Sequence, residues 1–65
     1  MNGLKSGGVT TVCYGKVEKW DDRAEAARSF LNSMMNSKGS ERERYSNVYF
    51  GIIRGRDYCT DTEQD

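Results

Sequence analysis

Five cations gather in the second half of the chain. Lys38, Arg42, Arg44, Arg54 and Arg56, set against Glu41 and Glu43, give residues 38–56 a net charge of +3. On one helix face such a set could neutralise phosphates while Tyr45 or Tyr49 stacks on bases, the chemistry of nucleic-acid binding. A counterweight follows at once, because residues 57–65 carry Asp57, Asp61, Glu63 and Asp65, a net of −4. Over the whole chain ten basic side chains balance ten acidic ones, short of the basic excess typical of nucleic-acid-binding domains. Nucleic-acid binding through these five cations is therefore the alternative reading, and the plainer one is a solvated helix side.

The remaining reactive groups offer less. Asp21, Asp22 and Glu25 cluster as acid/base machinery or a hard-cation site would, but helix capping uses all three without further assumption. The acidic residues after Asp57 lack the glycine and spacing of a calcium loop. Cys13 and Cys59 have no Cys-x-x-Cys spacing and read as reduced, buried thiols. With no histidine in the chain, His-based triads and most zinc sites are ruled out. No cofactor, no metal, no small-molecule substrate and no catalytic residue is expected, so the chain reads as a non-enzyme.

What is left is greasy. Phe30, Met34, Tyr49 and Phe50 are large side chains on or beside the apolar stripes of two helices, and aromatic and methionine residues serve cores and adaptable binding surfaces alike. In so small a monomer Phe30 and Phe50 cannot easily both be buried. An exposed one would mark a protein interface, for a foreign protein partner or a homodimer.

The elements that position these groups follow from length and pattern. At 65 residues and 7.4 kDa the chain makes one small domain, with ten Val, Leu, Ile and Phe residues extended by four Tyr, one Trp and three Met. A core that size supplies little net stability, so capped helices, an oligomer interface or a partner must supplement it. No window approaches the roughly 20 apolar residues that span a bilayer, and the first eight residues lack the apolar centre of a signal peptide. A cytoplasmic location is expected.

Residues 1–8, with Gly3, Gly7 and Gly8, read as a flexible tail, residues 9–60 as a single α+β domain, and residues 61–65 as a flexible acidic end. From Val9 to Trp20 the β-branched and aromatic residues predict one main strand, bent or bulged at Gly15, with Val12 and Tyr14 on one face and Cys13 and Val17 on the other. Asp22 then caps a helix whose apolar stripe is Ala24, Ala27, Leu31, Met34 and Met35, extended by Phe30, with Arg23 and Arg28 on the opposite side. Gly39 is expected to end it in a left-handed conformation. Ser40 and Glu43 have the spacing of a second capping box, opening a helix with Tyr45, Val48, Tyr49, Ile52 and Ile53 on one face. Gly51 inside that helix predicts a close neighbour, and Gly55 a stop. Tyr58-Cys59-Thr60 closes the pattern as a short strand. The expected fold is β-α-α-β: an antiparallel helix hairpin packed on a two-stranded antiparallel ribbon.

The segments Trp20-Asp21-Asp22-Arg23, Gly39-Ser40-Glu41-Arg42-Glu43-Arg44-Tyr45, and Gly55 through Cys59-Thr60-Asp61 resemble short uncharacterised proteins encoded on conjugative transposons and related mobile elements of Gram-positive gut bacteria. The resemblance spans roughly residues 14–61. It implies a cytoplasmic bacterial accessory of mobile DNA acting on a host or element-encoded partner, and brings no activity, cofactor or catalytic residue with it. Residues and resemblance together favour an adaptor that works by protein–protein contact through helix side chains or a free strand edge.

Overall fold

A chain reversal at Tyr14-Gly15 decides the architecture. The computed structural model describes residues 7–62. Tyr14 and Gly15 sit at φ of 54° and 77°, the pair of positive values a two-residue I′-type turn requires. The expected single strand is therefore a hairpin of β1 (Val9–Cys13) and β2 (Lys16–Trp20), antiparallel, with Val12 opposite Val17 and Val9 opposite Trp20. Gly15 is turn, not bulge. Val12 and Val17 consequently share the outer face of the sheet, where one continuous strand would have separated them.

The same turn corrects the topology. Helices α1 (Arg23–Met35) and α2 (Gly39–Ile53) fold back on each other across residues 36–38, so they return the chain to the end of the sheet it left. It left at Trp20, and the hairpin has placed Trp20 beside Val9, where β1 begins. The last strand, β3 (Tyr58–Thr60), therefore sets out in the same direction as β1 and pairs with it in parallel. A three-stranded mixed sheet in the order β2-β1-β3 replaces the two-stranded antiparallel ribbon. The α+β class and the two helices stand.

Both helices lie on one face of this sheet. Val9 and Cys59 from the strands join Ala26, Ala27 and Phe30 of α1 and Val48 and Ile52 of α2 in the core, with Trp20, Tyr45 and Tyr49 half-buried around it. The buried face of α1 is thus rotated from the expected stripe: Arg23, Ala26, Ala27 and Phe30 point inward, while Ala24 and Met35 are exposed. Arg23, expected on the solvent side, is only 2% exposed. Its guanidinium donates from Nη1 to the Ile52 carbonyl at 2.8 Å and from Nη2 to Asp57 Oδ1 at 3.0 Å. The physical reason lies in α2, whose last turn carries no basic residue of its own; Arg23 supplies the cation that the carbonyl end of a helix favours.

The caps divide likewise. Asp22 accepts a hydrogen bond from the Ala24 N–H at 3.0 Å, as expected of an N-cap. Ser40 does not cap α2: that helix starts one residue earlier, at Gly39, from Lys38, which makes no side-chain cap. Gly39 does take the left-handed region, at φ +62°, but at the opening of α2, since α1 already closes at Asn36. At the edges of the domain, the Gly7 carbonyl accepts from the Arg23 N–H, and Asp61, read as the head of the acidic end, is 6% exposed and belongs to the folded unit. Residues 1–6 and 63–65 of the expected tails lie outside the described residues. No helix among the described residues is long and apolar enough to cross a membrane.

Candidate functional site: a groove between the second helix and the last strand

The residues of α2 and its exit that face β3 are Asn47, Phe50, Gly51 and Arg54, at spacings of three, one and three, which is one face of a helix. Across from them stand Arg56, Tyr58, Cys59, Thr60 and Thr62, and between the two rows lies a groove of about 250 Å³. Gly51 sets its depth. A Cβ built there would come within 2.9 Å of Cys59 Sγ and 3.2 Å of Cys59 Cβ, so only glycine lets the helix rest on β3. The close neighbour expected of Gly51 is therefore this cysteine.

The far wall is a sheet edge. The Thr10 N–H donates to the Asp57 carbonyl and the Asp61 N–H to the Val12 carbonyl, each at 2.9 Å. Along an extended strand backbone groups alternate sides, so residues 57, 59 and 61 spend theirs on β1 while Tyr58 and Thr60 turn theirs outward. Phe50, 45% exposed, and the exposed Tyr58 ring supply apolar surface. Among the described residues neither Arg54 nor Arg56 has a carboxylate partner and no acidic side chain lines the groove.

No family model matches this chain, and neither a curated protein nor a solved structure shows significant similarity to it. Its function must be argued from its own geometry.

The expected protein-binding residues separate. Tyr49 and Phe50 are neighbours whose rings meet edge-on at 5.6 Å between centroids, Phe50 in the groove and Tyr49 half-buried against the core. Phe30 is corrected to a core residue, 7% exposed, its ring packed against those of Trp20 and Tyr45. The physical reason is the rotated face of α1, which turns Phe30 inward between the hairpin and α2. Met34 is half-buried on α1 and does not line the groove.

The five cations separate too. Arg54 and Arg56 come together in the groove. Lys38 and Arg42 are exposed around the opposite end of α2, roughly 18 Å away for a rise of 1.5 Å per residue between 42 and 54. Arg44 is engaged: Nη1 donates to Asp61 Oδ2 at 2.8 Å, and its guanidinium carbon sits 4.9 Å from the centre of the Tyr14 ring. The cations thus form no single phosphate-binding face. The sequence predicts Tyr58 and Thr60 as part of a short strand but not as site residues, because local pattern does not say which of a strand's backbone groups face outward.

The thiols and carboxylates are structural. In the parallel register Cys59 stands opposite Thr11, so Cys13 is offset from it by two residues along β1, and both are free. Burial pushes both thiols above their ordinary value, the opposite of nucleophile activation. Among the described residues no cluster of three His, Cys, Asp or Glu side chains could hold a metal ion.

Asp61 ties the end of β3 to the rest of the fold. Its Oδ2 accepts from the Tyr14 N–H as well as from Arg44, both at 2.8 Å, and its carbonyl accepts from Asn47 Nδ2 at 3.0 Å. Burial alone would raise the Asp61 carboxyl, but the Tyr14 N–H and the Arg44 guanidinium together outweigh it and hold the group below its ordinary range. A depressed folded-state value stabilises the fold in full above the unfolded carboxylate pKa of about 4, and that stability is lost as pH falls through the folded value. Urea midpoints followed by circular dichroism should accordingly drop below about pH 4 in the wild type. In Asp61→Asn they should start lower and fall less steeply; identical slopes would remove Asp61 from the acid response.

Proposed function

We propose that this is a small non-enzymatic accessory protein that works by binding another protein at the groove between α2 and β3. One observation carries the reading: an exposed aromatic pair, Phe50 and Tyr58, flanks a sheet edge whose backbone donors and acceptors face the groove. Main-chain pairing along a strand edge supplies affinity, and side chains beside it supply selectivity. Among the described residues the groove offers guanidinium, amide and hydroxyl groups and no histidine or carboxylate to serve as a general base, which favours recognition over catalysis. The nucleic-acid alternative keeps only Arg54 and Arg56 of its five cations in one place, too few phosphate contacts for useful affinity. The three segments that resemble proteins of conjugative transposons supply the setting we attach to this reading: a cytoplasmic accessory of a mobile element, with a host or element-encoded partner.

Selection of random extended peptides displayed on phage tests it, with Phe50→Glu as the counter-target. Phe50 is surface-exposed, so the substitution should preserve the fold while placing a charge in the apolar wall. Enriched peptides should lose at least tenfold in affinity for the variant. Peptides that bind both proteins equally, or no enrichment at all, would overturn the assignment of the groove. A dimer in light scattering that Phe50→Glu dissociates would instead assign the groove to a second copy.

A further inference from the structure

We infer that the occupant of the groove is an acidic, extended segment of another polypeptide, added as a fourth strand on the edge of β3 that no described strand pairs with, its carboxylates on Arg54 and Arg56. The inference rests on the groove being the binding site, and identifies what it takes.

The backbone argues for a strand. Tyr58 and Thr60 each turn an N–H and a C=O to the groove, at the two-residue repeat that an extended chain matches with alternate groups of its own. The other edge of the sheet is a poorer host. β2 carries Lys16 and Lys19, and lysines on an edge strand discourage pairing, whereas β3 has none.

The charge argues for acid. Among the described residues, Arg54 and Arg56 are the only charged ones lining the groove. The nearby carboxylates among the described residues are committed, Asp57 to Arg23 and Asp61 to Arg44. Nor does the carbonyl end of α2 oppose an anion. The Phe50 carbonyl accepts from the Arg54 N–H, the Gly51 carbonyl from the Arg56 N–H, and the Ile52 carbonyl from both the Gly55 N–H and Arg23. With those oxygens satisfied, two guanidinium groups set the local potential. Each can clamp a carboxylate with paired N–H donors. Phe50, on the same face of α2 as Arg54, and Tyr58, which alternates with the buried Cys59 and so lies on the sheet's other face, flank an added strand on its two sides.

The test titrates the isotope-labelled 65-residue protein with a blocked peptide alternating glutamate and valine, and with its lysine-for-glutamate counterpart. The glutamate peptide should bind, shift the Arg54 and Arg56 amides, and slow hydrogen exchange at Tyr58 and Thr60. The lysine peptide should not. Arg54→Glu with Arg56→Glu, both exposed and expected to fold, should weaken the glutamate peptide at least tenfold and reverse the preference. Thr60→Pro removes one outward donor while Cys59 keeps its pairing to β1, and should weaken binding about fivefold, the worth of one hydrogen bond. Equal binding of both peptides, or binding without protection at Tyr58 and Thr60, would overturn the inference. So would oligothymidylate displacing the glutamate peptide from Arg54 and Arg56 at about 50 mM salt, where phosphate contacts are strong. If phage selection yields Phe50-dependent peptides that are neutral or basic, the groove stands as the binding site and its acidic occupant falls. If it yields none, both fall.

Discussion

Arg23→Ala should remove most of the protein's stability, leaving only a broad, strongly lowered thermal transition in circular dichroism. The side chain is the largest among the described residues to be fully buried, and three losses coincide when it is truncated. A cavity opens at the start of α1, the Ile52 carbonyl loses its charged donor, and the last turn of α2 loses this buried cation. Together these cost about 2–4 kcal/mol. A single core in a chain this short supplies no more than about 3–5 kcal/mol in total. The ion pair itself is the smaller part. Asp57 is 74% exposed in its side chain, and Asp57→Asn retains the acceptor for Nη2, so that variant should keep a transition lowered by only a few degrees. Arg23→Lys falls between, because an ammonium on a single stem cannot bridge Ile52 and Asp57 as the guanidinium fork does. The order Ala, Lys, Asp57→Asn from most to least damaging is the expected result. Near wild-type melting of Arg23→Ala would mean that the guanidinium is solvated and α2 needs no cation from α1.

How such a residue escapes a reading of the sequence is itself physical. Periodicity assigns faces by hydrophobicity, so Ala24, Leu31 and Met35 drew the stripe of α1 toward themselves and pushed Arg23 to the solvent. Only the packing of α1 beneath the end of α2 shows that this arginine has partners, Ile52 and Asp57, for two of its three guanidinium nitrogens, its buried Nε having none among the described residues. The helices were otherwise legible: Asp22 caps the first, and Val48 and Ile52 face the core from the second. The hairpin was not. Two-residue turns announce themselves through Asn-Gly or Asp-Gly, and a tyrosine at positive φ is uncommon enough that Tyr14-Gly15 gives no such signal. Missing that one reversal was enough to invert β3, because it moves the exit of the sheet from one end to the other while the helix pair still returns the chain to where it left.

The candidate site was legible residue by residue and illegible as a site. Phe50 stood out as an exposed aromatic, Arg54 and Arg56 as members of a cation set, and Gly51 as a sign of close approach. Each belonged to a different argument. They share a groove only because β3 is parallel to β1 and leaves its other edge beside α2, a long-range consequence no local pattern encodes. Phe30 drew the same attention as Phe50, and the rotation of α1 sends it to the core instead.

Gly51→Ala should destabilise the protein although it removes a glycine from a helix interior. The exchange gains about 1 kcal/mol of helix propensity. Against it stands the new methyl, 2.9 Å from Cys59 Sγ and 3.2 Å from its Cβ, where the neighbour is a short, buried side chain on a strand held by β1 and cannot swing aside. Overpacking of this kind costs about 1–3 kcal/mol. The net loss should be about 0–2 kcal/mol for Ala, while Gly51→Val, with two further methyl groups, should approach the whole stability of the domain. Cys59→Ala supplies the control that separates packing from backbone effects. It removes the sulfur that the new methyl meets, so Gly51→Ala should cost less in that background than in the wild type, by about 1 kcal/mol or more in a double-mutant cycle of urea midpoints. Because the clash is relieved by lifting β3 off α2, hydrogen exchange at Cys59 and Asp61 should also accelerate in Gly51→Ala ahead of the amides of α1. Additive free energies in the cycle, or a Gly51→Ala variant more stable than wild type, would show that α2 and β3 have room between them, and the groove would lose the contact that sets its depth.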